Sequence, residues 1–121
     1  MTAPIFVVCS GTPEVTALLG TSPTRFYPHG EAPEGTTKPY AVWQVVSGSP
    51  INYVSGVPDT DRYGLQVDVY AETASSADAV VGALRKAIAQ QAYITGFGID
   101  ARDKDTRNYR KSFDVAWLVS L

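Results

Sequence analysis

The sequence predicts an α+β fold, a small antiparallel sheet of about four strands with one long helix and a short N-terminal helical segment packed on one face. Three observations carry this reading. In LQVDVYA, residues 65–71, Leu65, Val67 and Val69 fall on one side of an extended chain, while Gln66, Asp68 and Tyr70 fall on the other. In residues 75–88, Ala77, Val80, Val81, Leu84, Ala87 and Ile88 recur at helical spacing and make one apolar stripe. The element order reads α, α, β, β, α, β, β, which suits hairpins covered on one face by helices.

The chain opens with the apolar run IFVVC, residues 5–9, and Gly11 stops it. A fresh helix start follows, with Thr12 as N-cap and Pro13 at the first helical position, and Gly20 closes that helix. Val15, Leu18 and Leu19 share one of its faces. Arg25, Phe26 and Tyr27 form a short extended piece, and PHGEAPEGTTKP reads as a connecting loop because turn residues crowd it. YAVWQVVS, residues 40–47, is a strand by its aromatic and β-branched content, apolar on both faces. A turn-rich interval leads to the strand at 62–71. Ser75 is the expected cap of the long helix, with Asp78 completing a capping box. Residues 98–105 and 109–120 make a hairpin with DTRN at its tip, and the last strand is again apolar on both faces through Val115, Ala116, Trp117, Leu118 and Val119.

These segments place Trp43, Val45, Leu65, Val67, Val69, Phe113, Val115 and Trp117 in one core with Val80, Val81, Leu84 and Ile88. At 121 residues the chain is expected to be one domain, residues 1–121, able to bury roughly two thirds of its unfolded surface without metal or disulfide. Strands apolar on both faces leave surplus apolar surface once helices cover one side, so the second face is expected to meet a neighbouring subunit.

Composition narrows the function. Ten Lys and Arg against 12 Asp and Glu give a formal charge of −2, with no general electrostatic reason to hold nucleic acid or an anionic membrane. The IFVVC run is too short to span a bilayer and lacks the charged flank of a signal peptide, so the protein is expected in the cytosol unless assembled into something larger. Cys9 lies in that apolar run and reads as a buried inert thiol rather than a nucleophile.

No constellation of residues carries chemistry. His29 is the only histidine and sits in a Pro/Gly-rich loop, which rules out a histidine metal cluster and favours a solvated side chain. Asp100, Asp103 and Asp105 alternate with Arg102, Lys104 and Arg107 and lack the Gly and terminal Glu of a calcium loop, so cross-strand ion pairs account for them. Asp59 and Asp61 belong to a PDTD turn, where Asp bonds its own backbone. Asp68 and Asp114 take outward positions on strands and can pair with basic neighbours. A phosphate loop, a CxxC pair, a nucleophile elbow and an internal repeat are all missing from the sequence. Catalytic, cofactor-binding and metal-binding residues are therefore all expected to be none.

The order and spacing of FYPHGEAPEGTTKPYAVWQVVSGSP, LQVDVYA, a capped helix and the DTRNYR hairpin resemble the tail completion or tail terminator proteins of long-tailed bacteriophages with non-contractile tails. The resemblance runs from the PIF near the start to the final strand. It implies a non-enzymatic virion protein of the tail and neck region, made in the host cytoplasm. It further implies a homo-oligomer, a hexameric ring that caps the tail tube, contacts the tail tube protein, and offers a surface to the head-tail connector or a head-completion protein. Genome DNA would pass through its lumen without sequence-specific binding. A different neck protein, a head-completion or connector subunit, is the nearest alternative, and a small ligand-binding or hydrolytic α+β domain is a further one.

Two segments are expected to make contacts. Residues 48–61 form a longer connection than a tight hairpin needs and carry Ile51, Tyr53 and Val54 among turn formers, so this loop is expected to project and touch a neighbouring subunit or the tube. The charged hairpin at 100–111, with Arg102, Asp103, Lys104 and Asp105 exposed, is expected at a subunit or neck interface, where interleaved charges set register and partner choice.

Overall fold

The computed structural model describes residues 3–51 and 59–120. Its elements run α1 (Ile5–Ser10), α2 (Pro13–Leu19), β1 (Phe26–Pro28), β2 (Tyr40–Ile51), β3 (Thr60–Ala71), α3 (Ala74–Ile88), β4 (Tyr93–Arg102) and β5 (Tyr109–Ser120). The five strands form one mixed sheet in the order β1-β2-β3-β5-β4. All neighbours are antiparallel except β1 and β2, which run parallel with Phe26 opposite Ala41. The expected four antiparallel strands and one long helix thus become five strands and three helices. The extra strand is the short extended piece around Phe26, which gains its partner only after the 29–39 loop returns the chain to its side.

Local chemistry explains the helices. Gly11 follows α1 and Pro13 sits at the first position of α2. Thr12 does occupy the N-cap of α2, but its Oγ1 donates to the Val8 carbonyl at 2.9 Å, so it closes α1 rather than capping α2. Gly20 at φ 82 ends α2 in a conformation that favours glycine. The long helix is capped by Thr73, not Ser75: the Thr73 Oγ1 accepts from the Ser76 N–H at 3.1 Å. Asp78 has another role, bonding the Lys111 ammonium and tying the first turns of α3 to β5. That carboxylate holds Lys111 above the usual lysine range.

The helices lie on one face of the sheet. Ile5, Cys9, Val15 and Leu19 from α1 and α2, with Val80, Leu84, Ala87 and Ile88 from α3, close over Ala41, Leu65, Val67, Val69, Phe113, Val115 and Trp117. Leu84, Val67, Val69 and Phe113 are fully buried, which sets the register of α3 as the apolar stripe requires. Three of the expected core residues differ. Trp43 and Val81 are only partly buried, and Val45 is 42% exposed. The reason is positional: β1 flanks β2 only as far as Trp43, and a register shift between Val45 and Ser47 carries the strand beyond its cover.

Cys9 is fully buried, and burial pushes its thiol up to about 12 from an ordinary 9.0. Above about pH 9 the unfolded thiol ionises while the native one stays protonated, so the unfolded state holds fewer protons and stability falls as pH rises towards 12. Burial raises Tyr40 and Tyr70 as well, in the same direction. The expected slope is up to about 1.4 kcal/mol per pH unit from the thiol. Denaturant titrations of the wild type and Cys9→Ala, at neutral pH and at about pH 10, check it, with the wild type losing more.

Candidate assembly surfaces

Three surfaces remain open once the helix layer is placed. The first is the outer half of the β2–β3 hairpin. Residues 44–50 are exposed without interruption, although β2 stays paired with β3 as far as Ile51 opposite Thr60. The expected loop at 48–61 is therefore strand at both of its ends, and Ile51 is half-buried on it. Tyr53 and Val54, the other two contact residues expected there, lie outside the described residues. On the face away from the helices Val46 is 55% exposed and Leu118 is 42% exposed. Gly64 and Ala116 are paired between the two, and a Cβ on Gly64 would meet the Ser47 Oγ and crowd Val46. The small residue lets β2 and β5 side chains approach across β3 and form one apolar strip.

The second surface continues that face towards the β4–β5 turn. Asp68 alternates outward as expected, yet it is only 3% exposed. Arg110 explains its burial, donating from Nη2 to the Asp68 Oδ1 at 3.3 Å, while Gln66 Nε2 donates to the same oxygen at 3.3 Å. The Arg110 guanidinium also lies 5.8 Å from the Tyr70 ring, and Tyr70 stacks on Tyr40 at 5.1 Å. Lys38, Tyr40, Tyr70, Arg102, Asn108 and Arg110 are among the residues around a groove of about 410 Å³ here. Asp68 is thus a structural anion holding β3 to β5 and needs no catalytic role. Removing it leaves the half-exposed Arg110 without its carboxylate, so Asp68→Ala is expected to cost about 1 to 3 kcal/mol. Asp68→Ala combined with Arg110→Ala should recover part of that loss in a denaturant double-mutant cycle.

The hairpin expected at 100–111 is present, but β4 runs over Tyr93–Arg102 rather than to residue 105, so residues 103–108 form a wider tip than the expected DTRN. Arg102 pairs with Tyr109, and Arg102, Asp103, Lys104 and Asp105 are all exposed. Asp103 folds back on the turn, its Oδ1 accepting from the Asp105 N–H at 2.8 Å and the Thr106 N–H at 2.9 Å. These bonds, Thr106 first, hold its carboxyl below the usual carboxylate range. Arg107 takes a positive φ of 62 to complete the turn. Asp100 pairs with Lys111 at 3.7 Å, so part of the charge alternation is indeed cross-strand pairing. Arg102 lies 5.3 Å from the Tyr109 ring, and Lys104 has no carboxylate partner among the described residues.

The third surface was not expected from the sequence. Phe6, Pro23, Phe26, Pro28 and Trp43 surround an almost wholly apolar groove of about 400 Å³ at the β1 edge of the sheet. Trp43 forms its wall, with the Phe26 ring at 4.7 Å and the Phe6 ring at 5.9 Å. Phe6 is 40% exposed and Val7 is 72% exposed. The signal available in the sequence was the apolar density of IFVV, more than a helix buried on one face can use.

His29 is exposed on its loop. Among the described residues no three His, Cys, Asp or Glu side chains are grouped to hold a metal ion, and no helix is long and apolar enough to cross a membrane.

Comparison with known proteins agrees with this architecture. The family described as tail completion protein gp17 matches residues 3–120. Among solved structures, a chain of the virion of a native gene transfer agent (GTA) particle is similar in fold, with a TM-score of 0.64 at 13% identity, covering 97% of this chain and 92% of that one. No curated protein matches. With the family match spanning every described residue, the chain belongs to the tail completion protein gp17 family, a family of structural virion proteins and not of enzymes, and is a structural protein of a phage tail.

Proposed function

We propose that the chain forms a hexameric ring that caps the tail tube at its head-proximal end and offers the surface to which the head connector or a head-completion protein docks. The observation that carries this reading is the apolar surface left open on a chain with a well-packed core: Val46 and Leu118 on the bare sheet face and the Phe6–Trp43 groove at its edge. A tail component with such surfaces is built to be covered by neighbours. Similarity to a chain of a gene transfer agent virion supports the fold this requires. The overall charge of −2 suits a ring through which genome DNA slides without being held.

In this reading Ile51, Tyr53 and Val54 contact a neighbouring subunit or the tube. Arg102, Asp103, Lys104 and Asp105 lie at a subunit or neck interface. Reversing Arg102 and Lys104 to Glu should leave the thermal midpoint nearly unchanged, because both are exposed. The same variant should give overlong tails or tails that fail to join heads in negative-stain micrographs of the lysate. Normal tail length with normal head joining would mean the hairpin is only a solvated edge. Overlong tails in a lysate lacking the chain altogether, and their absence, decide the capping role itself.

A further inference from the structure

We propose that the Phe97–Arg85 corner of one subunit seats in the Phe6–Trp43 groove of a second copy of the same chain, and that this head-to-tail contact closes the ring. The inference rests on the ring reading above and specifies its contact. Phe97 is the most exposed phenylalanine, 67% accessible, and it lies on β4, one free edge of the sheet. Its ring is not loose: the Arg85 guanidinium of α3 sits 4.6 Å from its centroid and props it outward. The groove lies at the opposite free edge, β1. Phe97 pairs with Phe113 and Phe26 with Ala41, core residues of the helix-covered face, so knob and groove lie in the same layer, one at each end of the sheet.

Two different patches at opposite ends of one subunit cannot satisfy each other within the chain. They can between copies, and such a heterologous contact generates a ring when its rotation closes. The charges agree. Glu34 lines the cavity next to the groove, which shares Pro23 and Tyr27 with it; Arg25 lines it too, but its guanidinium donates to the Pro39 and Leu18 carbonyls, and neither Glu34 nor Arg85 has an oppositely charged partner among the described residues. Bringing Phe97 into the groove brings Arg85 towards Glu34. The edges themselves favour side-chain docking over strand addition. β1 is three residues long and ends in Pro28, while β4 carries register shifts at Ile94/Gly96 and Phe97/Asp100, so neither edge offers a regular ladder.

The test uses tails isolated from cells that produce the variant Val7→Cys/Thr95→Cys, two exposed positions that flank the groove wall and the Phe97 knob and leave both intact, treated with a short bismaleimide and run on a denaturing gel. Cys9 is fully buried and does not compete. A covalent ladder of this chain up to the ring size is expected from the double variant, and none from either single variant, since each contact takes one cysteine from each side. Phe97→Asp is expected to abolish the ring while leaving the thermal midpoint unchanged, because Phe97 is exposed. A ring that forms normally with Phe97→Asp, or rings of the double cysteine variant that give no ladder, overturn this contact while the ring reading stands. Crosslinks to the tube protein in place of copies overturn it equally. Unmodified tails without a ring overturn the ring reading and this contact together.

Discussion

Phe26→Ala is expected to destabilise the chain by about 3 to 5 kcal/mol, the range for emptying a buried aromatic site. Phe26 is 1% exposed and fills the space between Ala41 of β2 and the Trp43 ring, 4.7 Å away. Its truncation removes the one fully buried side chain of a three-residue strand, which the His29 N–H bond to the Trp43 carbonyl at 2.8 Å and the Ala41 N–H bond to the Arg25 carbonyl at 3.0 Å help to hold on β2. Little is left to collapse into the cavity, which argues for the upper part of the range. The floor of the Phe6–Trp43 groove goes with it. Chemical denaturation measures the loss, and a drop below about 1 kcal/mol would mean that β1 is a peripheral tether rather than part of the core.

Leu84→Ala is expected to cost about 2 to 5 kcal/mol. Leu84 is fully buried in the middle of α3, in the same cluster as Val67, Val69 and Phe113. Alanine keeps the helix propensity, so the change isolates packing. The neighbours most able to relax are Val80 and Ile88, one turn either way, yet both are buried against the sheet and held by it. Val81→Ala is the internal comparison: Val81 is only partly buried, so it should lose clearly less. Equal losses at the two positions would place the buried face of α3 one residue away from where the stripe puts it.

Several features were legible in the residues alone. The period-3.6 stripe of α3 predicted Ala77, Val80, Val81, Leu84, Ala87 and Ile88 inside, and all but the partly buried Val81 are buried. The period-2 pattern put Leu65, Val67 and Val69 on the covered face of β3. The alternating charges of the hairpin predicted an exposed tip, and Arg102, Asp103, Lys104 and Asp105 are exposed. Each of these is a local signal, because a repeat within one element needs only that element's own geometry to choose a face. The spacing of segments was legible too, and it carried the resemblance to tail completion proteins that the family match then established.

What the sequence by itself determined, then, was which faces of α3 and β3 turn inward and the order and spacing of segments that mark a structural tail protein family. Tertiary structure alone decided the rest. Phe26 became a parallel strand because β2 returns beside it. Asp68 was buried because an arginine 42 residues away supplies its countercharge. Thr73 took the cap because α3 begins at Ala74, which leaves Ser75 inside its first turn, and Asp78 is held instead by Lys111 on β5. Val45 stayed exposed because no helix or strand reaches over that end of β2. For Phe26 and Asp68 a short-range preference competes with a partner distant in sequence, and the energy of burial or pairing exceeds the few tenths of a kcal/mol to about 1 kcal/mol that local propensity supplies.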